Sequence, residues 1–132
     1  MRILLVLFPI FLKFSDSCAP TSTTTPIVCP CTTSEVELLN RIDGSPEGTE
    51  SIQPVGSVTT ADSNGCPTVY SITCNPPDTN PTATVSMMFQ DQISGPITGP
   101  TLSLTCTDGN WLYLDEFNGQ TLVVSVSCQW SP

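Results

Sequence analysis

A chain of 132 residues with twelve carboxylates, three cations and no histidine carries a formal net charge of −9 and seven cysteines. The missing imidazole excludes Ser-His-Asp and Cys-His catalysis and removes the commonest neutral zinc ligand. Such an acidic chain repels phosphate backbones and anionic bilayers, so neither nucleic acid nor a membrane surface is expected as a partner.

The first seventeen residues read as a secretory leader. "MR" supplies the positive start, "ILLVLFPIFL" the apolar stretch, and Ser15 and Ser17 the small residues of a cleavage site. The apolar stretch is ten residues long, about half of what a helix needs to span a bilayer. A secreted, extracellular protein with no membrane span is expected, its mature chain starting near Cys18. That chain keeps Arg41 as its sole cation against eleven carboxylates, a net of −10. Self-repulsion that keeps the protein soluble explains this charge more simply than a surface for basic ligands. In an oxidising compartment the cysteines default to disulfides.

Residues 18–28 form a threonine-rich arm, where Thr21, Ser22, Thr23, Thr24 and Thr25 beside Pro26 offer an O-glycosylation tract. Residues 29–132 are expected to form one domain. Its first element, "SEVELLNRI" (34–42), fits a helix capped by Ser34 with Glu37 completing a capping box, but a strand is preferred. Beyond it, Pro and Gly punctuate short runs rich in Val, Ile, Thr and aromatics. "CPTVYSITC" (66–74) places Cys66, Tyr70, Ile72 and Cys74 on one face, and "ATVSMMF" (83–89) does the same with Ala83, Val85, Met87 and Phe89. The proline-rich "NPPDTNPT" between them cannot continue a ladder.

Two turn signals set the registers of the last third. Asp108-Gly109 as a two-residue hairpin loop puts Cys106 opposite Trp111, and Asn118-Gly119 as another puts Tyr113 opposite Val124 and Trp111 opposite Val126. Both registers gather Leu102, Leu104, Cys106, Trp111, Tyr113, Val124, Val126 and Cys128 onto one face of a meander. Five to seven short strands with one apolar face predict an all-β fold, a small disulfide-stabilised antiparallel β-sandwich of immunoglobulin-like size.

Geometry removes three cysteine pairings. Cys66 and Cys74 would stand about 26 Å apart on one extended strand, whereas a disulfide needs α-carbons within about 6.8 Å. Cys106 and Cys128 would sit on the outer strands of the meander, and Cys29-Pro30-Cys31 would close a strained ring. Of the 15 pairings open to six cysteines, eight avoid all three. The seventh, Cys18, is left unpaired or available for an intermolecular disulfide. A metal or redox reading of "CPC" is weaker, because zinc pairs have two to four intervening residues and thioredoxin-like motifs two.

The acids offer little chemistry. "TADSNG" (60–65) carries part of a calcium-loop spacing in Asp62, Asn64 and Gly65, but Thr60 stands where the first acid belongs, and a plain turn is preferred. Asp115 and Glu116 are adjacent, so on a strand they face opposite ways and cannot form a glycosidase pair. Asn80-Pro81-Thr82 is a sequon blocked by proline, and Asn64-Gly65-Cys66 is a rare variant whose cysteine is assigned to a crosslink. Trp130 continues the inward phase past Cys128 and is read as a cap on the sandwich edge rather than an exposed contact. No catalytic, metal or cofactor-binding residue is assigned.

"CAPT" after the leader, a threonine tract, a close cysteine pair with proline, "NGC" before "TVYSITC", "LTC" before "DGNW" and a terminal "VSVSC" together resemble the six-cysteine extracellular domain of nematode secreted and surface proteins, a family of unknown function. The resemblance covers Cys18 to Cys128. "CPC" is narrower than the family's first pair, and "TSTTT" is shorter than its usual tract. The resemblance implies that Cys29 pairs with Cys66. Two completions then remain, Cys31–Cys106 with Cys74–Cys128, or Cys31–Cys128 with Cys74–Cys106. The expectation is a secreted non-enzymatic module with a structural or interaction role toward an extracellular protein or glycan. The alternative is a carbohydrate- or calcium-dependent binding module using Asp62, Asp108, Asp115 or Trp130.

Overall fold

Apolar alternation with a period of two builds both layers of the fold. In β4 (Pro67–Thr73) Tyr70 and Ile72 point inward, continued by Cys66 and Cys74 at its ends. In β5 (Thr84–Phe89) Val85, Met87 and Phe89 do the same. β7 (Thr101–Thr107) adds Leu102 and Leu104, and β8 (Asn110–Leu114) adds Trp111. The computed structural model describes residues 20–40, 48–90 and 94–131; the leader, Cys18 and Arg41 lie outside them.

Further strands are β1 (Glu37–Asn40), β2 (Glu50–Ile52), β3 (Val55–Ala61), β6 (Ser94–Thr98), β9 (Gln120–Leu122) and β10 (Ser125–Ser131), which makes ten among the described residues against the five to seven expected. One sheet has the order β1-β10-β5-β6 and the other β3-β4-β7-β8-β9, and β2 lies against β10. β1 runs parallel to β10, while the other described pairs are antiparallel. The sheets enclose one core, so the predicted β-sandwich is what forms. Phe89 and Tyr113 meet across the layers with ring centroids 5.4 Å apart, and Tyr70 and Trp111 meet at 5.6 Å.

Near the amino end, "SEVELLNRI" divides. Thr33–Glu35 is a single 3-10 turn entered from Thr32, whose backbone N–H donates to Glu35 Oε2 at 2.8 Å, and β1 follows. The capping acid is therefore Glu35 and not Glu37, and the cap stands two residues before the expected Ser34.

The meander holds in its first half only. Asp108 and Gly109, with φ of 50° and 77°, form the two-residue loop, and Cys106 pairs with Trp111 as expected. Asn118-Gly119 is not such a loop. Tyr113 pairs with Thr121 instead of Val124, because the turn holds three residues closed by Asp115 N–H donating to the Gly119 carbonyl at 3.0 Å. Asp115 Oδ1 accepts from Phe117 N at 2.8 Å and Gly119 N at 2.7 Å, and Asn118 takes the left-handed position at φ 62°. The shift brings Val123 into the core, 1% exposed, and leaves Val124 at 49%. Past Val123 the chain changes sheets, so Trp111 never faces Val126, and Val126 and Cys128 reach the core from the opposite layer. Gln90 stitches the crossing: its Nε2 donates to the Leu122 carbonyl at 2.6 Å and its Oε1 accepts from Val124 N at 3.4 Å.

Candidate functional site

The densest covalent chemistry lies where the amino-terminal strap crosses one end of the five-stranded sheet. Cys29 bonds to Cys66 at the start of β4, with α-carbons 5.2 Å apart, and Cys31 bonds to Cys106 in β7, with α-carbons 6.0 Å apart. β4 and β7 are antiparallel neighbours, so the two receiving cysteines stand side by side at one end of the sheet. Two cysteines with one proline between them can therefore reach both without bonding each other. Trp111 adds a third fastening, its Nε1–H donating to the Thr32 carbonyl at 2.8 Å. Cys74 bonds to Cys128 across the core, with α-carbons 6.1 Å apart. This is the pair implied by the resemblance together with the first of its two completions. It also separates Cys106 from Cys128, which lie in opposite sheets rather than on two outer strands of one.

Asp62 and Asp115 turn out to do the same job. Asp62 Oδ1 accepts from Asn64 N and Cys66 N, each at 2.9 Å, while Asp62 N–H donates to the Cys66 carbonyl at 2.9 Å. Those are the offsets seen at Asp115, and Gly65, at φ 82°, holds the left-handed place that Asn118 holds there. Each carboxylate thus satisfies backbone donors that a three-residue hairpin leaves open. Glu116 is in the Asp115 loop, not on a strand as assumed above. The strand order puts Asp62 and Asp108 at one end of the five-stranded sheet and Asp115 at the other, so Asp115 does not converge with the other two. Among the described residues no three of Cys, Asp and Glu cluster in a way that could hold a metal ion.

Trp130 is half-buried on β10, an inner strand of its sheet, where it is paired with Val85 and packed against the core. Thr21–Thr25 are exposed, as are Ile27 and Val28 at 64% and 88%. No helix among the described residues is long and apolar enough to cross a membrane. Concavities among the described residues differ in their surroundings. One of about 350 Å³ is lined by Pro76, Pro81, Pro100, Thr84, Thr98 and Gly99 and by no ionisable group. Another, about 200 Å³, lies beside the strap between Glu35, Asn110, Trp111, Leu122 and Val124. The Glu35 carboxylate there is already bonded to Thr32.

The chain matches no protein-family model, no curated protein and no solved structure. Sequence reasoning missed the roles of Trp111 and Gln90, which act through contacts 79 and 32–34 residues away. No local pattern announces bonds of that span.

Proposed function

We propose that this chain is a secreted extracellular module without an activity of its own, serving structure or interaction, and akin to the six-cysteine nematode domain that it resembles. One observation carries the reading: six cysteines and two loop aspartates are engaged in holding the fold. Six of seven cysteines sit in disulfides, and Asp62 and Asp115 each give a carboxylate oxygen to two N–H groups of their own loop. Such crosslinks suit an oxidising compartment, where each contributes about 2–4 kcal/mol. The exposed threonine arm, glycosylated on its hydroxyls, belongs to the same reading. Its partner is an extracellular protein or glycan.

A calcium- or carbohydrate-binding module is the less favoured reading, since it needs acids or aromatics gathered in one place, whereas Asp115 stands at the opposite end of the sheet from Asp62 and Asp108, and Trp130 lies in the other sheet. Two measurements test the choice. The chain, expressed through a eukaryotic secretory pathway, is expected to emerge cleaved before Cys18 with three disulfides and hexose-containing mass increments on the peptide holding Thr21–Thr25. Titration calorimetry with calcium and with neutral oligosaccharides is expected to give no saturable heat; saturable binding of either would transfer the assignment to the binding module.

A further inference from the structure

β4 has a disulfide at each end. Cys66, immediately before Pro67, is bonded to Cys29 of the strap, and Cys74, immediately after Thr73, is bonded to Cys128 of β10. A covalent route therefore joins the amino-terminal arm to the carboxyl-terminal strand through one strand alone. It passes from Cys29 to Cys66, along the eight residue steps to Cys74, and across to Cys128. The two loops that it bypasses span 37 and 54 residues. Those loops hold the other nine strands among the described residues, apart from β10 beyond Cys128.

The route is also taut. An extended strand already covers about 26 Å in eight steps at roughly 3.3 Å each, and the same steps fully stretched give no more than about 29 Å. The crosslinks at its ends span 5.2 and 6.1 Å between α-carbons. Tension along it finds almost no slack to draw out. Tyr70 and Ile72 are buried, and ladders to β3 and β7 flank the strand on both sides.

The chain leaves the fold at opposite ends of this strand. The arm precedes Cys29, which stands at the Cys66 end. At the other end the Cys74 N–H donates to the Pro100 carbonyl at 2.7 Å, and Pro76, Pro100 and Thr84 line one concavity. Thr84 is the register partner of Ser131, so β10 runs out beside Cys74. A pull on both flanks of the domain is thereby fed into the two ends of β4.

We propose that this domain is a tension-bearing link, which carries load between whatever holds its arm and whatever holds the segment after Cys128 without unfolding. Forced unfolding of an uncrosslinked domain is governed by how fast its packed strands come apart. Here the load falls on covalent bonds and bypasses those strands. Cys31–Cys106 supplies a reserve. With either bond of the short route lost, tension passes from Cys31 to Cys106 and on to Cys128, over 24 residue steps in place of eight. The proposal rests on the structural reading above and gives that structure a mechanical task.

The test uses the chain expressed through the secretory pathway, with Cys18→Ser and a handle at each end, in single-molecule force spectroscopy. The oxidised chain is expected to show no unfolding step longer than about 20 Å. Dithiothreitol is expected to release all 99 residue steps between Cys29 and Cys128, a total gain of about 300 Å. Cys29→Ala with Cys66→Ala is expected to give an oxidised step of about 50 Å, the length of the reserve route. Cys31→Ala with Cys106→Ala is expected to give none. Should the first of these variants fail to fold, oxidised and reduced parent chains carry the test. A step of hundreds of ångströms from the oxidised parent overturns the proposal, and so does a reduced chain no longer than the oxidised one. A step from the second variant, or none from a folded first variant, overturns it as well. Each such result leaves the structural or interaction reading standing with another task, whereas loss of that reading would come from the calorimetry.

Discussion

The strap and the core are fastened by the same bond in different surroundings. The disulfides close 37, 75 and 54 residues, and loop closure alone would make each worth about 4 kcal/mol. Cys74 and Cys128 lie in the core at 0% and 1% exposure and join the two layers. Cys31 and Cys66 are buried as well, at 0% and 3%, but each bonds a half-buried partner, Cys106 and Cys29, and together they hold a strap to one sheet, where each strap bond backs up the other and Trp111 backs up both. What a crosslink packs against, rather than the length of loop it closes, sets how far its loss spreads.

The largest expected effect breaks the comparison from the core side. Cys74→Ala with Cys128→Ala is expected to cost about 4–5 kcal/mol in urea unfolding, the loop-closure part plus two buried sulfurs. Cys29→Ala with Cys66→Ala is expected to cost about 3 kcal/mol, with faster amide exchange confined to the strap and the β3–β4 turn. An equal or reversed order would remove the distinction. A smaller effect compares the two aspartate loops, one anchored by a disulfide at Cys66 and one not. Asp115→Ala is expected to cost about 1–2 kcal/mol and Asp62→Ala less, by the same unfolding measurement. The smallest concerns Tyr70, whose ring packs on Trp111 and whose phenol burial pushes above its ordinary value. The folded state then holds that proton more tightly than the unfolded one. Its contribution is intact below the ordinary phenol range near pH 10 and is lost as pH rises through and above it. Tyr70→Phe is expected to flatten that alkaline loss in a pH series of unfolding curves.

Legibility in the sequence followed the range of the interactions. The alternation in 66–74 and 83–89 and the Asp108-Gly109 turn are local, and they form as read. Asn118-Gly119 misled because the deciding group, the Asp115 carboxylate, stands three residues before Asn118 and converts a two-residue loop into a three-residue one. In "DSNGC" the Asn-Gly pair stands one residue closer to its aspartate than in "DEFNG", so the likeness of the two loops lies in their hydrogen bonds and not in the sequence pattern. β3 went unread because an edge strand with Gly56, Ser57 and exposed valines lacks the apolar alternation of a buried one. The change of sheet after Val123 depends on Gln90, far away in the chain, and no turn signal marks it.

Disulfide mapping tests the arrangement most directly. Non-reducing digestion that cleaves after Leu38 or Leu39, after Tyr70, after Phe89 and within Asp115–Phe117 separates Cys29 and Cys31 from Cys66, Cys66 from Cys74, Cys74 from Cys106 and Cys106 from Cys128. The structure predicts one assembly of three peptides, holding Cys29 and Cys31 with Cys66 and Cys106, and a second of two peptides holding Cys74 and Cys128. Recovery of Cys31 with Cys128, and of Cys74 with Cys106, would contradict it, because the strap would then be bonded to the layer opposite the one it crosses.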